Sequence, residues 1–456
     1  MVSNPQPTEQ TEARMSQITQ PISLGTINGC QAVVAFDAEN HTSDAGVVLV
    51  SRIDSRLGLC ARLAGAIHDR RNLGSVTHPL STLLRQRVFQ IVMGWQDSVD
   101  ADQLRTDPAF KLACRHLPVS GDPLSSQPTL CRLENAVDDM DLERMQDTLT
   151  ELYLAKHSHR RKRRLIILDV DVTDAETHGH QEWSHFNTYY GHTCLTPLLV
   201  FDGTTGDLLS IKLRPGNAGP GDGLLDELHR LVPKLRKVWP KAKILLRADS
   251  AFANPGIFAH CDAQGLDYLI AMPNNSVLAS MAATNLWEAR CMAAHDDDQR
   301  RSYGYGTYQS RGWAVARRVI WKAEAGPAAT DVRFVVTNLL GIPRHLYGRY
   351  VARGESENWI KAFKRHLFGN RMSCHKATAN QFRLLLHAAA YHLMRALSEM
   401  LIGTAAERWQ FDTLRLKVLK VGGWIQQTAH RITLHLAGSH PHQDLWATLV
   451  RRTQPA

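Results

Sequence analysis

A tyrosine, an arginine, a glutamate and a lysine stand at Tyr350, Arg353, Glu357 and Lys364 of the 456-residue chain. In a helix turning about 100° per residue they fall at roughly 0°, 300°, 340° and 320°, on one narrow polar face. That face sets a carboxylate between two cations and a phenol. Trp359 falls on the opposite side, at roughly 180°, and is the residue expected to meet the core. A surface helix laced with ion pairs, each worth about 0.3 kcal/mol, is the plain alternative. Two more candidate acids close runs of apolar residues, Leu165-Ile-Ile-Leu-Asp-Val-Asp-Val172 and Lys243-Ile-Leu-Leu-Arg-Ala-Asp249. Both runs read as buried strands, and carboxylates there are costly unless they hold a cation or a partner. Asp169 and Asp171 point to the same face because side chains alternate along a strand.

The elements that must position these residues follow in order. Residues 1–20, rich in Gln, Thr, Ser and Pro, read as a disordered lead. Ala32 to Phe36 and Gly46 to Val50 are expected to form a small hairpin. Helical spacing then covers Leu57 to Ile67, Leu80 to Trp95 and Leu142 to Tyr153, so residues 21–160 form a mainly helical, basic region. Pro128 opens a further helix from which Arg132 projects, able to meet a phosphate or a base edge. The run Arg160, Arg161, Lys162, Arg163, Arg164 is expected to grip a phosphate backbone, with a solvated charge run as the alternative. After the first acidic strand come apolar runs at Leu195 to Phe201 and Leu208 to Leu213, a helix to Val238, the second acidic strand, a helix capped by Asn254 and started by Pro255, and a strand at Tyr268 to Ala271. Three strands, then helix, strand, helix, strand is the order of an α/β, ribonuclease H-like core over residues 161–272 and 344–375. Residues 273–343 read as a β-rich insertion, and 376–456 as a helical C-terminal region without chemistry of its own.

Composition narrows the field. A hydrophobic content of 44% and a charged content of 21% describe an ordinary globular protein, and the net charge of +9 favours a polyanionic partner. The eight cysteines are scattered with no Cys-x2-Cys pair, which argues against a zinc site or a disulfide framework. No apolar run reaches the roughly 18 residues of a membrane span and no signal peptide opens the chain. A cytoplasmic protein without a membrane partner is expected.

The order Tyr-x2-Arg-x3-Glu-x6-Lys resembles the signature of bacterial insertion-sequence transposases of the DDE type. Leu168-Asp-Val-Asp-Val-Thr173, His178-Gly179, Leu213-Arg-Pro-Gly-Asn217, Arg247-Ala-Asp-Ser250 and the block Ser126 to Asn135 extend the likeness over roughly residues 126–392. The resemblance implies that Asp171, Asp249 and Glu357 converge to hold two Mg²⁺ ions, with Mn²⁺ as a substitute, across a scissile phosphate. Val172 intervenes before Thr173, so Asp169 competes with Asp171 as the first acid. The resemblance further implies a helical DNA-binding region before the core, DNA phosphate contacts by Arg353 and Lys364, and a hydrogen bond from Tyr350. It makes Trp313 and Trp321 candidates to stack a flipped base. Its reaction would be cleavage at terminal inverted repeats of double-stranded DNA and strand transfer into target DNA, by a homodimer that associates with the nucleoid when bound. A nuclease of the same fold without strand joining, and a catalytically decayed DNA-binding protein, are the alternatives.

Overall fold

The computed structural model describes residues 20–159, 163–296, 298–326 and 329–454. Arg160, Arg161, Lys162 and the expected disordered lead, except residue 20, lie outside them. The fold is mixed α/β, organised on one eight-stranded sheet. In chain order its strands are β1 Leu165–Val172, β2 Leu198–Asp202, β3 Leu208–Lys212, β4 Lys243–Ala248, β5 Asp267–Met272, β6 Arg300–Tyr308, β7 Arg317–Ala325 and β8 Thr330–Thr337. Across the sheet they run β6-β7-β8-β5-β4-β1-β2-β3. The pairs β1/β4 and β4/β5 are parallel; every other neighbouring pair is antiparallel.

Alternation along β1 sorts its side chains between two environments. Ile166, Leu168 and Val170 enter a core shared with helices Leu224–Val238 and Pro255–Ala263. Ile167, Asp169 and Asp171 face the other way, toward the layer that includes helix Pro343–Val351, whose Leu346 and Tyr347 pack on Leu245 and Leu269. The far end of that layer is a helical assembly in which the long helix Ala377–Glu399 packs against N-terminal helices and on Leu199, Phe201 and Ile211 of β2 and β3.

Several expected elements took other forms. The stretch Gly46 to Val50 is not a strand: Val47–Leu57 is a helix, and Cys30–Val34 pairs instead with Ile22–Ile27. Its valines favour strands locally, but Val47, Val50, Ile53 and Asp54 are buried at helical spacing. Gly46 lies so close to the backbone of Leu419 that a Cβ would meet it at 2.3 Å, so tertiary packing overrides the preference. The expected strands between 273 and 343 are present, but they extend the large sheet beside β5 and follow an unforeseen helix, Ser276–Asp296. Its buried side includes Leu278, Ala282, Ala289 and Ala293, small residues that give little periodic signal. No helix among the described residues is long and apolar enough to cross a membrane.

The turn from β2 to β3 is clamped by charge. Asp207 is fully buried and accepts from His157 Nε2 at 2.6 Å and Lys156 Nζ at 2.8 Å. Burial opposes its charge, but the hydrogen bond from His157 and the charge of Lys156 outweigh it and hold the carboxyl well below the ordinary range. Gly206, at φ +73°, lets this turn approach the Trp359 ring, where a Cβ would lie 2.7 Å away. Because folding depresses the Asp207 pKa, its stabilisation is complete above about pH 4 and is lost as pH falls through and below that value. Asp207→Asn should therefore lower stability at pH 7 by about 3 kcal/mol and flatten the acid limb of a stability–pH curve from denaturant titrations. An unchanged curve would show that the clamp carries no charge-dependent stability.

Candidate active site

The neighbouring parallel strands β1 and β4 set the site. Their register pairs Arg247 with Asp169, and carried two residues further it places Asp249 beside Asp171. The two candidate positions 169 and 171 differ sharply. Asp169 is fully buried and takes both Arg247 Nε and Nη2 at 2.6 Å, a bidentate pair. Gly203 lies over this pair, where a Cβ would come within 2.5 Å of Asp169 Oδ2. Asp171, half-buried near the strand end, meets a single guanidinium, Arg353 Nη2 at 2.7 Å from Oδ2. Arg247 also donates Nη1 to the carbonyl of Arg349 at 2.6 Å, fastening the following helix to the strands.

The segment after that bond departs from one regular helix. Helix Pro343–Val351 passes into a 3₁₀ turn, Ala352–Gly354, an α-helix, Glu355–Lys361, and a π turn, Ala362–His366. Changes of winding redirect the side chains that a uniform wheel would align. Arg353 is buried against Asp171, whereas Lys364 donates to Asp174 Oδ1 at 2.6 Å. Trp359 is half-buried on the core side, its ring centroid 5.5 Å from that of Phe201. Glu357 is exposed at the site's edge.

The acids share one electrostatic field. Burial pushes the Asp171 carboxyl up to about 6; Arg353 pulls against that, while the charges of Asp249 and Glu357 add to the rise. Tyr350 is half-buried, and burial raises its phenol, with Arg353 opposing and Asp249 and Asp171 reinforcing the shift. Asp174, which also lies 3.3 Å from His192, responds oppositely: burial works against its charge, but Lys364 outweighs it and holds the carboxyl low. Tyr190 reaches the Val172 carbonyl at 3.4 Å. Asp174, Tyr190, His192 and Arg247 were not singled out from sequence. Arg247 lay two residues before a candidate acid, a signal that could have marked it as the partner of Asp169.

The remaining predicted residues scatter. Arg132 is exposed on helix Gln127–Ala136, at the rim of a cavity of about 480 Å³ that also touches Arg70, Arg71 and His78. Arg163 is turned inward, donating to Asp202 and to the Tyr153 hydroxyl at 2.6 Å each, while Arg164 is exposed. Trp313 and Trp321 are both buried, against Phe258 and Phe334, and so are not presented for stacking on a base.

Among the described residues, no three His, Cys, Asp or Glu side chains are gathered closely enough to hold a metal ion. The donor chemistry nonetheless suits a hard divalent cation: Asp171, Asp249 and Glu357 offer only oxygen, and their mutual repulsion is offset by the Arg353 guanidinium, a positive group already seated on Asp171.

The family profile described as Transposase DDE domain group 1 matches residues 24–456, and the chain belongs to that family. It is a transposase of the DDE class. A search of curated proteins gives no match. Among solved structures, piggyBac transposase in a synaptic complex with hairpin DNA is similar over 83% of this chain and 80% of its own, at 9% identity and a TM-score of 0.39.

The shared field has a direct consequence. Asp249→Asn and Glu357→Gln should each lower the Asp171 pKa from about 6, because each removes a like charge. Carboxyl ¹³C NMR titration of aspartate-labelled protein reads the shift; a pKa unmoved by both substitutions would mean that the three acids do not meet.

Proposed function

We propose that this transposase cuts double-stranded DNA at the inverted repeats that end an insertion-sequence element and joins the freed 3′ hydroxyl to target DNA. The reading rests chiefly on the charges of Asp249 and Glu357 acting on Asp171, at the ends of strands whose last pair is Arg247 with Asp169. The strand order β3-β2-β1-β4-β5, with β2 antiparallel to its neighbours, supports a ribonuclease H-like core over residues 161–272 and 344–375. In this reading residues 21–160 form a DNA-binding region, 273–343 an insertion and 376–456 a C-terminal region.

Asp171, Asp249 and Glu357 are the proposed ligands of two Mg²⁺ ions, with Mn²⁺ as a substitute. When bound, such ions activate the attacking oxygen and stabilise the leaving one. Asp171 is preferred to Asp169 because both oxygens of Asp169 are already held by Arg247. Arg353, paired with Asp171, and Lys364, paired with Asp174, are proposed to meet DNA phosphates near the cut, with a hydrogen bond from Tyr350. Arg132 and Arg164, exposed on the N-terminal side, are proposed to hold flanking phosphates, together with Arg160, Arg161 and Lys162. Arg163 acts as an internal anchor. Two element ends must be held together for joining, so a homodimer is the proposed assembly, acting in the cytoplasm at the nucleoid.

Paired end duplexes incubated with a target plasmid and Mg²⁺ should yield both cleaved and joined products. Asp171→Asn, Asp249→Asn and Glu357→Gln should each reduce cleavage by about 10³-fold or more while leaving end binding intact. In the wild type, Mg²⁺ should raise the melting temperature, an effect weakened in the same variants. Cleavage without joining would reduce the function to that of a nuclease, and undiminished cleavage by the three variants would end the metal reading.

A further inference from the structure

Arginines without carboxylate partners gather where helices Val47–Leu57 and Gln443–Arg452 meet. Arg52 and Arg56 lie on helix Val47–Leu57, Arg62 on helix Leu59–Ala66, Arg115 just after helix Pro108–Ala113, and Arg451 and Arg452 at the end of helix Gln443–Arg452. Four of the six bridge neighbouring segments through neutral acceptors. Arg56 donates to the Arg452 carbonyl, Arg52 Nε to Thr453 Oγ1 at 2.9 Å, Arg115 Nη2 to Ser55 Oγ at 3.4 Å, and Arg452 Nη1 to the Met400 and Ile402 carbonyls at 2.6 and 3.0 Å. Among the described residues none of the six has an ion pair with Asp or Glu, and all but Arg52 are exposed. Two open cavities of about 670 and 700 Å³ adjoin here, both lined by Arg56 and Arg452.

A structural role alone does not account for this charge. Three helix C-termini, at Leu57, Glu399 and Arg452, converge nearby, and arginine donors suit their free carbonyls. Each terminus carries only about half a negative charge, so six guanidiniums face roughly one and a half opposing charges. The nearby carboxylate of Glu399 is already matched by Lys156 at 2.6 Å. A strongly positive, solvated surface remains.

We propose that this surface is a second duplex-binding face, which holds DNA phosphates through Arg52, Arg56, Arg62, Arg115, Arg451 and Arg452, apart from the acids of the candidate active site. It rests on the reading of DNA as substrate, but not on the assignment of the acids. Its guanidiniums supply sequence-independent grip, as expected for flanking or target DNA.

The test measures binding of the full-length protein to a fluorescent duplex without terminal repeats, between 50 and 200 mM salt. Arg115 and Arg451 each make one long side-chain bond, at 3.4 and 3.3 Å, so with Arg62 they are changed together to Gln and, separately, to Lys. The Gln variant should bind about tenfold or more weakly at 100 mM salt, with a slope of log K against log salt shallower by about 2 to 3; the Lys variant should keep nearly the wild-type slope. A wild-type slope in the Gln variant would overturn the proposal. So would equal losses in both variants accompanied by lowered melting temperatures, which would assign these arginines to packing. Because this assay reads binding and not cleavage, the surface and the proposed active-site chemistry can fail independently.

Discussion

The buried pair of Asp169 and Arg247 governs how the acidic edge of the sheet meets the helical segment that completes it. Two parallel strands place the residues side by side, and the guanidinium spans the gap by donating twice to the carboxylate and once to the carbonyl of Arg349. An isolated charge at this depth would be severely penalised, whereas a bidentate pair satisfies both partners. The bonds therefore tie β1, β4 and helix Pro343–Val351 to one another, and Gly203 lies so close over the pair that a side chain there would meet both partners. The acids two residues further along each strand inherit that placement.

This placement gives two acids two residues apart different surroundings. Asp169 has its acceptors filled and lies out of solvent, while Asp171 is half-buried, meets one guanidinium and feels two other carboxylates. Its pKa is raised first by burial, against the pull of Arg353, with the charges of Asp249 and Glu357 adding to the rise. Carboxylates gathered in this way are unfavourable for folding alone, the kind of local conflict that functional sites carry. Arg353 relieves part of the conflict at Asp171, while Lys364, eleven residues further along the same segment, pairs with Asp174.

The rest of the molecule serves this edge indirectly. Helix Ala377–Glu399 and the N-terminal helices cover β2 and β3, and the clamp at Asp207 holds their turn beneath Trp359. The strands of residues 273–343 lengthen the same sheet on the far side of β5, so the insertion is continuous with the sheet that carries the acids. The arginine surface arises from residues about 400 positions apart in sequence, such as Arg52 and Thr453. No local pattern announces it.

What the sequence determined by itself was the set of strong local signals. The apolar runs closing on Asp171 and Asp249, the Asn254–Pro255 helix start and the spacing from Tyr350 to Lys364 are each contained within a few turns or one strand, so their residues report their own conformation. Only the tertiary structure gives Asp169 and Asp171 different surroundings, the first buried in a bidentate pair with Arg247 and the second half-buried beside Arg353, because alternation puts both on the same face. It also decided that Val47 begins a helix, that Arg163 turns inward, that Trp313 and Trp321 are core, and that the segment carrying Glu357 changes winding. In each case the deciding partner lies far away in the chain: Leu419 for Gly46, Asp202 for Arg163, Asp171 for Arg353. Short-range periodicity carries no information about such partners, because their contact exists only once the sheet and its covering helices have assembled.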